Sequence, residues 1–108
     1  MKNVKIVVFV PSTHLKKLLE VIGENGGGII GNYSYCSFSS KGIGRFKPNE
    51  KADPFIGKSG DIEEVKEDRI EFICSKEKSK EMIIKIKESH PYEEVAFDVY
   101  PLLDEDEL

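Results

Sequence analysis

Between Asn3 and Val10 the chain carries Val4, Ile6, Val7, Val8, Phe9 and Val10 in near-continuous succession. A half-buried strand would alternate, so a run without alternation reads as a strand covered on both faces and central in a sheet. Pro11 and Ser12 end it, and Ser12 is placed to cap a helix. Leu15, Leu18, Leu19 and Ile22 then fall on one helical face. Gly26-Gly27-Gly28 stops that helix, since glycine takes the left-handed position past a helix end without steric cost.

The rest of the chain repeats this logic with one addition. Tyr33 to Phe38 alternates, Ser39-Ser40-Lys41-Gly42 reads as a polar turn, and Ile43 to Lys47 looks like a returning strand, so a β-hairpin is expected here. Pro48 to Gly60, with two prolines and two glycines, reads as a loop. Alternation resumes from Glu63 to Cys74, with Ile70, Phe72 and Cys74 on one face. Met82, Ile83 and Ile86 mark a second helix from about Ser79 to Ser89, which Pro91 ends by disfavouring helical geometry at His90. Val95, Phe97 and Val99 outline a last strand. The expected fold is α+β and ferredoxin-like: an antiparallel sheet with two helices on one face and an extra β-hairpin. Residues 1–103 form a single domain in this reading, and 104–108 an acidic tail.

At 108 residues the chain can bury a real core. Its 39% hydrophobic and 33% charged residues fit a globular protein. No apolar run approaches the length of a membrane span. Met1-Lys2-Asn3 leads straight into a strand pattern, so no leader is expected. Net charge is −4, with basic residues interleaved among acidic ones, which gives no basic face for nucleic acid. Cys36 and Cys74 lie in strand-like segments without metal-ligand spacing and read as reduced core residues of a cytoplasmic protein.

His90-Pro91-Tyr92-Glu93-Glu94 is the segment richest in chemistry. Proline favours the second position of a tight turn, which would bring His90 and Glu93 within about 7 Å between α-carbons, close enough to share a cation or a proton. Fully extended, His90 and Glu94 would instead lie about 13 Å apart at ~3.3 Å per residue, out of reach of one ion. The plainer alternative is a helix-to-strand corner whose histidine caps the last helical carbonyls. His90 and Glu93 are therefore the candidate ligands of a divalent metal, with a third required from elsewhere. His14 reads as exposed and incidental. Glu63, Glu64, Glu67, Asp68 and Glu71, broken by Lys66 and Arg69, read as a solvated strand face with cross-strand ion pairs. Gly57-Lys58-Ser59 ends like a phosphate-binding loop, but Ala52 stands where that motif needs glycine. Tyr33, Tyr35, Phe38 and Phe46 exceed what a two-stranded ribbon can bury and mark a candidate interface between subunits.

Taken in order, Asn32-Tyr33-Ser34-Tyr35-Cys36, Gly42-Ile43-Gly44-Arg45-Phe46-Lys47-Pro48, Pro54-Phe55-Ile56-Gly57, Glu64 to Glu71 and His90-Pro91-Tyr92-Glu93-Glu94 resemble the domain inserted in the longer, YqfO-type members of the Nif-three-like family (NGG-interacting factor three). The resemblance covers Val4 to Leu103. It implies a fold similar to the PII signalling proteins and the CutA cation-tolerance proteins, which are trimers. It also implies that the family's two-metal site lies in a flanking core this chain lacks, so metal hydrolase activity does not carry over. The expectation is a non-enzymatic homo-oligomer, a trimer, that binds a small ligand or cation or regulates a partner. His90, Tyr92, Glu93, Glu94 and Arg45 would form its site: Tyr92 a stacking surface, Arg45 an anion contact, Glu93 or Glu94 the carboxylate. The alternatives are a metal-dependent hydrolase acting alone and an interaction subunit for a separate Nif-three-like core.

Overall fold

The computed structural model describes residues 1–108. The chain runs through β1 (Asn3–Pro11), a 3₁₀ turn at Ser12–His14, α1 (Leu15–Glu24), β2 (Phe38–Phe46), β3 (Glu63–Ser75), α2 (Lys76–Ser89), β4 (Phe97–Pro101) and a final 3₁₀ turn at Glu105–Glu107. The strands form one sheet in the order β2-β3-β1-β4, every neighbouring pair antiparallel. This is the split βαβ order of the ferredoxin-like fold. No helix is long and apolar enough to cross a membrane.

β1 takes the central position that its apolar run requires. Val4, Ile6, Val8 and Val10 join Leu18 and Ile22 of α1, Ile70 and Phe72 of β3, and Met82 and Ile86 of α2 in one core. Val7 points to the other face and is also fully buried. No helix is needed to cover it, because the side chains around it close over the sheet. Val7 lies between Glu71 and Asp98 in register, Lys5 Nζ reaches Glu71 Oε1 at 3.6 Å, and the Arg69 guanidinium stands 5.9 Å from the centre of the Phe9 ring. The stems of such charged residues cover apolar surface while their heads stay wet.

The expected hairpin within residues 33–47 is not formed. β2 runs unbroken through Ser39-Ser40-Lys41-Gly42, pairing with β3 from Phe38↔Glu71 to Phe46↔Glu63. Small polar residues resemble a turn in sequence, but a strand whose backbone is matched residue by residue needs no apolar side chains to stay extended. The reversal falls instead in 47–62. A tighter one sits at Gly31–Asn32, where Ile30 and Tyr33 exchange both backbone hydrogen bonds at 2.9 and 3.0 Å. Tyr35 leaves strand geometry altogether, with φ of 61°. Two boundaries also differ from expectation. α2 begins at Lys76, and Ser12 donates to Asp68 Oδ1 at 2.6 Å in place of capping α1.

β1 pairs with β3 only over Glu67–Ser75, so the other end of β3 and its β2 partners project as a two-stranded arm beyond the core. The molecule is accordingly elongated, 49 × 25 × 23 Å. The acidic tail is ordered: Glu107 Oε1 accepts the Asp104 N–H at 2.8 Å and lies 3.2 Å from the α-amino group of Met1. Gly28 fastens the α1–β2 connection to the sheet. Its N–H donates to the Ile73 carbonyl and its own carbonyl accepts the Cys36 N–H, both at 2.8 Å. With φ of 79°, and with the Cys36 backbone where a Cβ would stand, Gly28→Ala is expected to cost more than the ~1–2 kcal/mol of a left-handed alanine, read as a lowered urea midpoint with an unchanged slope.

Candidate functional site

Where α2 ends, His90 turns its ring inward. Pro91 holds the His90 backbone extended, at φ −82° and ψ 140°, which directs the imidazole beneath the sheet end. Its Nε2–H donates to the Phe9 carbonyl at 2.7 Å, and its Nδ1 accepts the Tyr92 N–H at 3.1 Å. A carbonyl only accepts and an amide N–H only donates, so these partners fix the neutral Nε2–H tautomer. Burial lowers the ring's proton affinity below its ordinary value near 6.5. The Phe9 bond and the Glu67 charge oppose that shift, and His14 adds to it.

Tyr92 carries the arrangement outward. Its ring packs on His90, Phe46 and Phe55, with centroid separations of 5.0, 5.8 and 6.5 Å. Its hydroxyl donates to Glu67 Oε2 at 2.8 Å. Burial first, then this bond and the carboxylate's charge, push the phenol above its ordinary range. Glu67 is 8% exposed and Asp68 2%. Adjacent strand residues point to opposite faces, so the two acids serve different neighbours. Asp68 accepts Ser12 and lies 3.5 Å from Lys41 Nζ; Glu67 turns toward Tyr92. The acidic face with cross-strand ion pairs expected over 63–71 therefore holds for the Arg45–Glu64 pair, at 2.9 Å, and for Lys5–Glu71. Asp68 has its cross-strand partner in Lys41 but is buried, and Glu67 is buried without a cation. Gly44 explains how Glu67 fits: a Cβ there would run into the Glu67 carboxylate.

The 47–62 loop closes over this floor. Its base is joined by the Gly60 N–H to the Pro48 carbonyl at 2.9 Å. Its middle is held by the Asp53 N–H, which donates to Glu93 Oε1 at 2.8 Å. Phe55 meets the His14 ring edge-on at 5.5 Å, so His14 is a loop contact and not incidental. Between the end of β2, the loop and the 92–96 turn lies a cleft of about 560 Å³, within the size range of small-molecule sites.

Four of the five expected ligand-binding residues, Arg45, Tyr92, Glu93 and Glu94, line this cleft; His90 lies outside its lining and holds Tyr92 from below. The expected metal pairing of His90 with Glu93 does not fit. Both imidazole nitrogens are committed to backbone groups, Glu93 holds the loop, and no group of three His, Cys, Asp or Glu converges anywhere. The ligand set that a lone metal hydrolase requires is thus not assembled. Of the expected interface aromatics, Tyr33, Tyr35 and Phe38 are 75%, 55% and 67% exposed, whereas Phe46 belongs to the cleft. Sequence reasoning missed Glu67, Phe55, Lys47 and Lys51 as lining residues. For Glu67 a signal existed in Gly42-Ile43-Gly44, the part of the partner strand with no side chains at its glycines.

No family model matches the chain. It is 52% identical over 103 residues to a protein of Halalkalibacterium halodurans named GTP cyclohydrolase 1 type 2 homolog, and 47% identical over 98 residues to its Bacillus subtilis namesake. These alignments take in 95% and 91% of this chain but 28% and 26% of those proteins. A Bacillus cereus protein related to NIF3 superimposes with a TM-score of 0.82 at 45% identity, over 95% of this chain and 26% of that one. The chain is a NIF3-related domain. It spans about a quarter of the length of these relatives. CutA from Archaeoglobus fulgidus shares the fold, with a TM-score of 0.68 at 17% identity over 93% of this chain and 83% of that one. The NIF3-related domain therefore has the PII/CutA-like fold that the resemblance implied.

Two outcomes test the site of the NIF3-related domain. Tyr92→Phe removes the only hydrogen bond to a buried carboxylate and is expected to cost about 1–3 kcal/mol of stability in denaturant titration. His90 is favoured neutral in the folded state, so its contribution is complete above the unfolded value near 6.5 and is lost as pH falls through the lower folded value. Stability measured at pH 7.5 and pH 5.5 should differ more for the parent chain than for His90→Gln.

Proposed function

We propose that this domain is a non-enzymatic, self-associating PII/CutA-like module that binds a small ligand in the cleft beneath the 47–62 loop and so regulates a partner. The observation that carries the reading is the loop itself. It arches over Phe46 and Tyr92, lays its own Phe55 against Tyr92 and His14, and is fastened to the 92–96 turn by a single side-chain hydrogen bond, from the Asp53 N–H to Glu93. A segment held this way can close on an occupant and relay its presence to a neighbour. The likeness to NIF3-related proteins supports a larger Nif-three-like core as that partner, and two free thiols suit a reducing cytoplasm.

Self-association draws support from two features: the CutA-like fold, and the exposed Phe38 on the edge strand β2 with Tyr33 and Tyr35 in the connection that leads into it. A homotrimer is the assembly we assign. Light scattering on the purified chain should then give three times the 12.2 kDa subunit mass, and Phe38→Glu should lower it. A parent chain that runs as a monomer at every concentration would remove the oligomeric part of this reading.

The cleft is tested separately, by metabolite-induced shifts in melting temperature. Ligands that stabilise the parent chain should lose most of their effect in Tyr92→Ala and Arg45→Ala. If a broad metabolite panel shifts neither parent nor variants, the binding role is wrong.

A further inference from the structure

We propose that Glu67 is the recognition group of this cleft, and that it takes a ligand with a paired N–H edge at one end (a guanidinium, or the amidine-like edge of a guanine-type ring) and an anionic group at the other. This rests on the reading of the cleft as a ligand site and names the chemistry that the site selects.

Glu67 is more than nine-tenths buried and lines the cleft. Its Oε2 accepts the Tyr92 hydroxyl; its Oε1 accepts no donor from the protein, and no lysine or arginine is paired with it. Oε1 is not sealed in the interior: it is open to the cleft, where an incoming donor can reach it. The place for it is built, since Gly44 leaves the room that its carboxylate occupies. Phe46 and Phe55 pack on the Tyr92 ring and line the same cleft as Glu67, and such flat apolar faces suit a planar, delocalised N–H donor better than a compact ammonium. Two parallel N–H groups match a carboxylate's two oxygens, and Oε2 keeps a second lone pair beside the Tyr92 bond. Lys47 and Lys51 line the same cleft with no carboxylate in ion-pair range, while Glu93 and Glu94 stand on the turn side. An anionic substituent is drawn to the lysines and repelled from the turn, which orients the ligand.

Calorimetric titration of the intact chain tests this with L-arginine and guanosine monophosphate, which separate the two sources of the N–H edge. Agmatine and guanosine serve as counterparts without the anion, and adenosine monophosphate lacks the paired edge. The expected result is saturable binding of arginine or guanosine monophosphate at one per chain, weakened at least tenfold in Glu67→Gln, whose carbonyl still accepts Tyr92. A Lys47→Ala/Lys51→Ala chain should weaken the anion-bearing probe and leave its anion-free counterpart within twofold. Should Glu67→Gln fail to fold, Gly44→Ala, which displaces the carboxylate without removing it, is expected to weaken the same probe. Absence of binding by both probes overturns the proposal, as does binding that Glu67→Gln leaves unchanged. Adenosine monophosphate binding as tightly as guanosine monophosphate, with Glu67→Gln indifferent, also overturns it while leaving the cleft a ligand site.

Discussion

β1 is hydrogen-bonded along both edges and apolar on both faces, and every other element takes its place from it. β3 pairs with it over Glu67–Ser75 and β4 over Phe97–Pro101, while α1 and α2 cover the side that carries Val4, Ile6, Val8 and Val10. A strand paired on both sides cannot shift by one residue without exposing one apolar set and burying the other. The register that follows puts Phe9 opposite Arg69 and Pro11 opposite Glu67, which brings the last carbonyls of β1 to the corner where α2 gives way to β4.

That corner turns a core constraint into a site. His90 reaches the Phe9 carbonyl with one nitrogen and the Tyr92 amide with the other, so the end of the most rigid strand is joined to the turn that carries Tyr92, Glu93 and Glu94. Tyr92 then fixes Glu67, and Glu93 fixes the long loop. The order of fixation is also an order of decreasing burial: a largely buried strand, a buried ring, a half-buried tyrosine, and a loop held by one carboxylate bond and the Phe55 ring. Function is expected at the looser end of such a series, where opening costs least.

Much of this was legible in the sequence, and the failures have physical causes. The central strand, both helices and the corner at Pro91 follow from periodicity and proline geometry, which act locally. The extra hairpin was misread because Ser39-Ser40-Lys41-Gly42 has turn composition, while its extended state depends on pairing with β3, a partner distant in sequence. His90 and Glu93 have the right chemistry for a metal, but hydrogen bonds to backbone groups decide what an imidazole has left to offer, and those partners arrive only with the fold. Glu67 looked solvated because its neighbours are charged. Its burial comes from Tyr92 and from the missing side chain at Gly44, both remote along the chain. Arg45, Tyr92, Glu93 and Glu94 could be expected close together, as the cleft lining has them, because they flank sheet ends and turns, which sequence marks well.

The pairing of Val4 with Pro101 has an architectural consequence. The entry to β1 and the exit from β4 lie side by side at the same end of the sheet, a few ångströms of strand spacing apart. A unit with this plumbing can be spliced into the surface loop of a host protein without prising the host apart, because both seams open onto one spot. The cleft lies toward the opposite end of β1, near Phe9 and Glu67, so a host attached at the seams would leave its mouth clear.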